Sequence, residues 1–220
     1  MYVDIIDKLK EMPVFGMNDV RKFLPSTSDY FISKLLDEEK IIKLKKNAYS
    51  FHRERFLIAN YLVMPSYVSS YSALSYHNAV SVLPFKTVVS FTTKKTTTID
   101  EYIYHNTKYF FGFNTIKKGK YNTKIATIEK AILDSFNVIS LEYFVEAFDR
   151  VNVSLLTKYL TKYNSASLNK RVGYILEKKG IEIDLNYNDY NYVLLDPLGN
   201  KKGEKNEKWH IINNYGDVND

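Results

Sequence analysis

Thr27, Ser28, Tyr30, Ser33 and Lys34 gather hydroxyl, phenol and ammonium groups into one short run, and Lys43, Lys45 and Lys46 follow close behind. Groups of these types suit the recognition of an anionic polymer. An ammonium can donate to a phosphate or to guanine O6 or N7, and a hydroxyl serves a phosphate or a base edge alike. Arg21 and Lys22 add two cations just upstream, with backbone contacts or simple solubility as their uses. Asp29 lies in the same run. It can accept from a cytosine amino group or stabilise the positive end of a helix.

Catalytic chemistry has less to draw on. The chain has no cysteine, which removes disulfides, thiolate metal sites and thiol nucleophiles together. His52, His77, His105 and His210 are scattered and form no metal-ligand pattern, so neither metal nor cofactor is expected. Gly112 and Gly119 lack the lysine-and-hydroxyl ending of a phosphate loop, and no Gly-x-Ser-x-Gly elbow occurs. Glu177-Lys178-Lys179, with Asp184 or Asp196, keeps a metal-dependent nuclease open as an alternative, because such enzymes pair acids with a lysine. Two features weigh against it. The motif falls near a helix end, where lysines complement the dipole, and Asp196-Pro197 reads as a turn. The expectation is a protein that is not an enzyme.

The donors need a frame. Pro25 stops one helix, and Ser26, Thr27 and Ser28 offer hydroxyl caps for the next. There Phe31, Ile32, Leu35 and Leu36 recur at helical spacing, leaving Tyr30, Ser33, Lys34 and Asp37 on the opposite stripe. Residues 41–51 fold about Lys46-Asn47 as a two-residue turn, which sets Leu44 opposite Tyr49 and Ile42 opposite Phe51. One face of this hairpin is then apolar, while Lys43 and Lys45 take the other and Lys46 the tip. Upstream, Tyr2, Ile5, Ile6 and Leu9 predict a short amphipathic helix ended by Pro13. Asn18 caps a second helix built on Val20, Phe23 and Leu24. Three helices and a hairpin in about 50 residues are the parts of a winged helix-turn-helix. Residues 1–52 are read as this DNA-binding domain.

Residues 53–220 read as a larger mixed domain, making the chain α+β. A helix is expected over 53–63, an extended piece at Tyr67–Ser69 and a helix over 71–77. Strands follow at 87–91, 102–104, 109–111 and 121–125. Ala126-Thr127 opens another helix, and three more are expected over 141–150, 153–163 and 168–178, the last stopped by Gly180. Strands return at 192–195 and 209–212, and the polar tail past Asn213 is expected to fray. With 45% hydrophobic and 15% aromatic residues the chain is globular. No apolar run approaches the roughly 20 residues of a membrane span, and no export signal is seen, so a cytoplasmic location without membrane attachment is expected.

Charge is unevenly spread over a net +6. Residues 1–51 hold 9 basic and 8 acidic side chains, whereas residues 86–130 hold 9 and 3. A head so nearly neutral binds DNA weakly alone. Either it acts as a dimer on two half-sites, or the basic segment with Lys94, Lys95, Lys117, Lys118, Lys120 and Lys124 assists.

Several pieces in this order resemble the AbiEi-type antitoxins of type IV toxin–antitoxin systems. The stretch from Leu35 to Tyr49 is similar to that family's recognition-helix-to-wing passage. Tyr71-Ser72-Ala73-Leu74 with His77 is similar to its Ser-Ala-Leu helix. Ala126 to Asp134 resembles its Thr-Pro-Glu-Lys-Ala helix, and Leu195-Asp196-Pro197 with residues 203–213 its closing strands. Asn47 stands where the family has glycine and Ile128 where it has proline; asparagine tolerates positive φ, and the Thr127 cap is kept. The resemblance implies a repressor whose winged-helix head binds inverted repeats in double-stranded DNA upstream of its own operon. The remainder would counter a co-encoded nucleotidyltransferase-like toxin without needing a stable complex. A protein–protein adaptor, using the many tyrosines and phenylalanines, stays open beside it.

Overall fold

The computed structural model describes residues 2–81, 86–185, 187 and 189–218; the side chain of Tyr2, read above as part of an apolar stripe, lies outside the description. The architecture is mixed α+β, with three sheets among the described residues. The chain divides into two compact units. Residues 1–68, 86–110 and 115–124 form one; residues 69–85, 111–114 and 125–220 form the other. The first unit therefore takes in the whole of segment 1–52 together with a large sheet.

The first unit begins with α1 (Tyr2–Lys10), the short strand β1 (Phe15–Gly16), α2 (Met17–Arg21) and α3 (Ser28–Asp37). A hairpin of β2 (Ile42–Lys45) and β3 (Ala48–Ser50) completes it, in a sheet of order β1-β3-β2. Ile5, Leu9, Val20, Phe31, Ile32 and Leu35 supply one shared core from three helices. Their spacing is what makes each helix amphipathic. Phe15 stacks on Phe51 at 5.5 Å and pairs with Tyr49 across the strands, closing the sheet over that core.

Two cap assignments change. The cap of α2 is Gly16 rather than Asn18, with Asp19 accepting from the Gly16 N–H at 2.9 Å. At α3 the cap residue is Thr27, but its hydroxyl makes no capping hydrogen bond, since its ψ of 13° departs from the extended backbone that aims such a side chain.

Beyond α4 (Arg55–Leu62) the unit holds most of a six-stranded sheet. Its strands are β4 (Ser66–Val68), β5 (Val88–Thr92), β6 (Thr97–Ile99), β7 (Tyr102–Asn106), β8 (Phe113–Lys118) and β9 (Tyr121–Ala126), in the order β6-β7-β5-β4-β9-β8. The strand expected at 109–111 is absent. Gly112 adopts φ +74° there, and the strand starts at Phe113. Tyr104 donates to the Ala59 carbonyl at 2.8 Å, fixing α4 on the sheet.

The second unit contains α5 (Ser70–Tyr76), α6 (Ile128–Ser135), α7 (Val153–Tyr163) and α8 (Ala166–Lys178). The helix expected over 141–150 is instead a pair of 3-10 segments, Leu141–Tyr143 and Val145–Arg150. The closing sheet has three strands: β10 (Val193–Leu194), β11 (Glu204–Asn206) and β12 (Ile211–Asn213), with β10 parallel to β12 and β11 antiparallel to it. Of the tail expected to fray, residues 214–218 are described: Val218 is buried and Asn213 Nδ2 donates to the Gly216 carbonyl; residues 219–220 lie outside the description. Trp209 packs on α8 at Gly173, where an added Cβ would stand 2.1 Å from the indole ring. Gly173→Ala is expected to cost about 1–3 kcal/mol by overpacking, read as a lower urea midpoint.

Candidate nucleic-acid interface

The buried stripe of α3 runs through Ser28, Phe31, Ile32 and Leu35, leaving Asp29, Tyr30, Ser33, Lys34 and Asp37 exposed. Tyr30 is 70% exposed. Ser28 must be withdrawn from the surface set. It lies three and four residues before Phe31 and Ile32, so its hydroxyl turns into the core with them. Thr27 stays exposed beside it.

The hairpin turns at Lys46-Asn47, with Lys45 and Ala48 paired across it and Asn47 at φ +59°. Beyond the turn the register slips. A bulge between Lys43 and Lys45 places Lys43 opposite Tyr49 and Ile42 opposite Ser50, correcting the pairing expected from alternation. The bulge preserves the outcome for the side chains. Leu44 is buried, and Lys43, Lys45, Lys46 and Asn47 are exposed. Because β2 is the edge strand, its lysines stand on the free margin of the sheet.

Ion pairing sorts these cations into free and engaged. Lys22 binds Asp19 at 2.8 Å, and this ammonium, with the Gly16 N–H, holds the Asp19 carboxyl below its usual value. Lys34 approaches Glu38 at 3.9 Å, and Lys40, a cation absent from the sequence reading, binds Glu38 at 2.7 Å. Lys40 is the main cause of a lowered Glu38 pKa. By contrast Arg21, Lys43, Lys45 and Lys46 are exposed and have no ion-pair partner among the described residues, and the same is true of Asp29 and Asp37. The free charges of the helix are thus acidic and those of the hairpin basic. Between α3 and the hairpin, electrostatic attraction to a polyanion comes from the hairpin, and the helix offers directional hydrogen bonds and the Tyr30 ring.

The basic segment is less available than its composition implies. Lys118 forms an ion pair with Glu54, Lys120 binds Glu11 at 3.1 Å, and Lys124 lies over the Phe110 ring at 5.5 Å. Lys94, Lys95 and Lys117 remain exposed.

The residues held open for nuclease chemistry are engaged separately. Glu177 accepts from Trp209 Nε1 at 2.9 Å and pairs with Lys208. Asp196 is buried at a turn, accepting from Ser140 Oγ and from the Leu141 and Leu198 N–H groups. Among the described residues no group of three or more His, Asp or Glu side chains is placed to hold a metal ion.

The second unit also holds a polar cluster that the sequence reading did not single out. Lys130, fully buried, donates to Asp134 Oδ1 and to the Tyr163 hydroxyl, each at 2.5 Å, and Ser69 Oγ donates to Asp134 Oδ2 at 2.7 Å. Burial pushes the Lys130 ammonium down, against the pull of Asp134. Thr127 Oγ1 accepts from the Lys130 N–H at 3.3 Å, and Glu129 accepts from the Asn152 N–H at 2.8 Å. The run from Thr127 to Asp134 therefore ties α6 to α7, to the residue before α5 and to the residue before α7. One signal was available: Lys130 and Asp134 stand four apart, within ion-pairing reach, on a helix that also carries Ile128, Ala131, Ile132 and Leu133. His77 has a comparable structural bond, its Nε2 lying 2.8 Å from the Ala126 carbonyl.

No described helix is long and apolar enough to cross a membrane. Compared with known proteins, the chain matches no family model and no curated sequence.

Proposed function

We propose that the chain is a sequence-specific DNA-binding repressor whose residues 1–52 act as a winged helix-turn-helix. One observation carries this reading: the unpaired cations Lys43, Lys45 and Lys46 line an edge hairpin, and the exposed face of α3 belongs to the same three-helix core. Docked as winged helices dock, α3 presents Tyr30, Ser33 and Lys34 to the major groove, and the hairpin reaches phosphates or the minor groove. Thr27, Arg21 and Asn47 flank that contact. Lys22 contributes less, being neutralised by Asp19. By the resemblance described above, the operator is an inverted repeat ahead of the chain's own operon. The biological role is then antitoxin to a co-encoded nucleotidyltransferase-like toxin, exercised in the cytoplasm.

The test is fluorescence anisotropy of the full chain on duplexes from its upstream region, across a salt series and with Mg²⁺ present. A repressor binds with affinity that falls linearly in log salt and leaves the duplex uncut. No binding at the lowest salt would end the reading, and cleavage would replace it with the nuclease. Co-expression with the neighbouring toxin gene, scored as growth, tests the antitoxin role separately. Within the ridge, Ser33→Ala and Lys34→Ala are expected to change sequence preference by about 1–3 kcal/mol at single operator positions. A uniform loss on all duplexes would move both residues from base to backbone contact.

A further inference from the structure

The outward side of α3 carries two rows of side chains, each spaced four residues apart as helix geometry requires. Tyr30, Lys34 and Glu38 form one row, which walls a hollow of about 340 Å³ against Ile6 of α1. Asp29, Ser33 and Asp37 form the other, exposed and outside that wall. Asp29 opens its row in the first turn of the helix. Its carboxylate has no hydrogen bond or ion pair among the described residues. The acid at the start of α2 behaves differently. Asp19 accepts from the Gly16 N–H at 2.9 Å and binds Lys22 at 2.8 Å, so its charge is spent inside the head. At α3 neither the Thr27 hydroxyl nor Asp29 closes such a cap, and the carboxylate is left pointing to water.

We infer that Asp29 selects cytosine, its carboxylate accepting a hydrogen bond from the N4 amino group at the base pair met by the first turn of α3. The inference rests on the DNA-binding reading and specifies what that site reads. Helix-turn-helix proteins set the N-terminal residues of the recognition helix against base edges in the major groove. An ionised carboxylate there is an acceptor only, so it must meet a donor. Phosphate oxygens, guanine O6 and N7 and thymine O4 are all acceptors and repel it. Adenine offers its N6 amino group beside the N7 acceptor, whereas cytosine presents its amino group with no acceptor on the same base. Cytosine is therefore preferred, adenine follows, and thymine and guanine are rejected. Such a group discriminates by penalty as much as by attraction, because it lowers affinity wherever the donor is missing. The unpaired hairpin lysines supply the attraction that holds it against the groove.

Selection of the full chain on a pool of random duplexes, with wild type, Asp29→Ala and Asp29→Asn in parallel, tests this. The wild type is expected to enrich a motif containing a fixed cytosine. Asp29→Ala should keep the rest of the motif and lose that position. On the selected duplex, with each of the four base pairs placed there in turn, anisotropy should give the wild type a preference of about tenfold or more for cytosine over guanine. Asp29→Ala should abolish this preference, and Asp29→Asn should move it to adenine, whose N6 and N7 an amide matches. A motif identical in wild type and Asp29→Ala overturns the inference, and so does an altered position that reads a base other than cytosine. If Asp29 served only the helix dipole, both variants would melt earlier and keep the wild-type base preference, which also overturns it. Far-UV circular dichroism verifies that each variant is folded. A wild type that enriches no sequence would sink the repressor reading and this inference together, whereas an unaltered motif would sink the role of Asp29 alone.

Discussion

Asp134→Ala is expected to lower the unfolding free energy by about 3–5 kcal/mol, the effect of stranding a fully buried charge. Without Asp134 the Lys130 ammonium, 0% exposed, keeps the Tyr163 hydroxyl as a hydrogen-bond partner but loses its counter-charge. Lys130→Met should cost less, because Asp134 retains hydroxyl donors from Ser69 and Tyr163. The double change Lys130→Met with Asp134→Leu should recover much of the loss, since it removes the buried charges together and leaves apolar volume in their place. Urea midpoints at constant m would show this. The pH dependence has a definite sign. Burial already depresses the Lys130 pKa below the ordinary 10.5, and removing the carboxylate depresses it further. Between the lowered folded-state pKa and 10.5 the unfolded chain then binds more protons than the folded one, so stability rises with pH through that window. The Asp134→Ala deficit should be smaller at alkaline than at neutral pH. A deficit that grows with pH would mean that Lys130 is not held as a charged group.

The second large effect belongs to the hairpin. Replacing Lys43, Lys45 and Lys46 together with alanine is expected to weaken binding to every duplex and to flatten the salt dependence. If each lysine meets one phosphate, the log–log slope falls by about 0.9 apiece. That part of the affinity alone changes about 40-fold between 50 and 200 mM salt. The helix cannot replace it, because its unpaired charges, Asp29 and Asp37, repel phosphate. Asp37→Asn should accordingly raise affinity for unrelated duplexes and reduce discrimination. An unaltered slope in the triple variant would remove the hairpin from the interface and leave Arg21 and the basic β-segment as the remaining sources of attraction.

The two effects differ in how far they could be foreseen. Lysines at 43, 45 and 46 around an Asn turn announce exposed charge by residue type alone, since no hairpin buries three ammonium groups without partners. A one-residue error in pairing was invisible for the same reason. Alternation assumes an unbroken ladder, and the bulge at Leu44 restored the apolar face by a route that alternation does not contain. Ser28 was misread because its cap-like chemistry was weighed ahead of its position, three and four residues before Phe31 and Ile32. The strand at 109–111 failed at Gly112, whose positive φ breaks a run that aromatic content alone favoured.

By itself the chain's chemistry decided most of the helices, where the hairpin turns and that the hairpin's lysines stay in water, because these follow from local periodicity and from the cost of burying charge; the 3-10 segments over 141–150 and the burial of Lys130 did not follow from it. Tertiary structure alone decided the pairings between distant segments, whereas Lys22–Asp19 and Lys130–Asp134 lie within helical reach of each other. Glu54 and Lys118 are 64 residues apart, and Ser69 and Asp134 are 65 apart. No local pattern encodes a partner that distant, and only packing brings such groups within reach of one another.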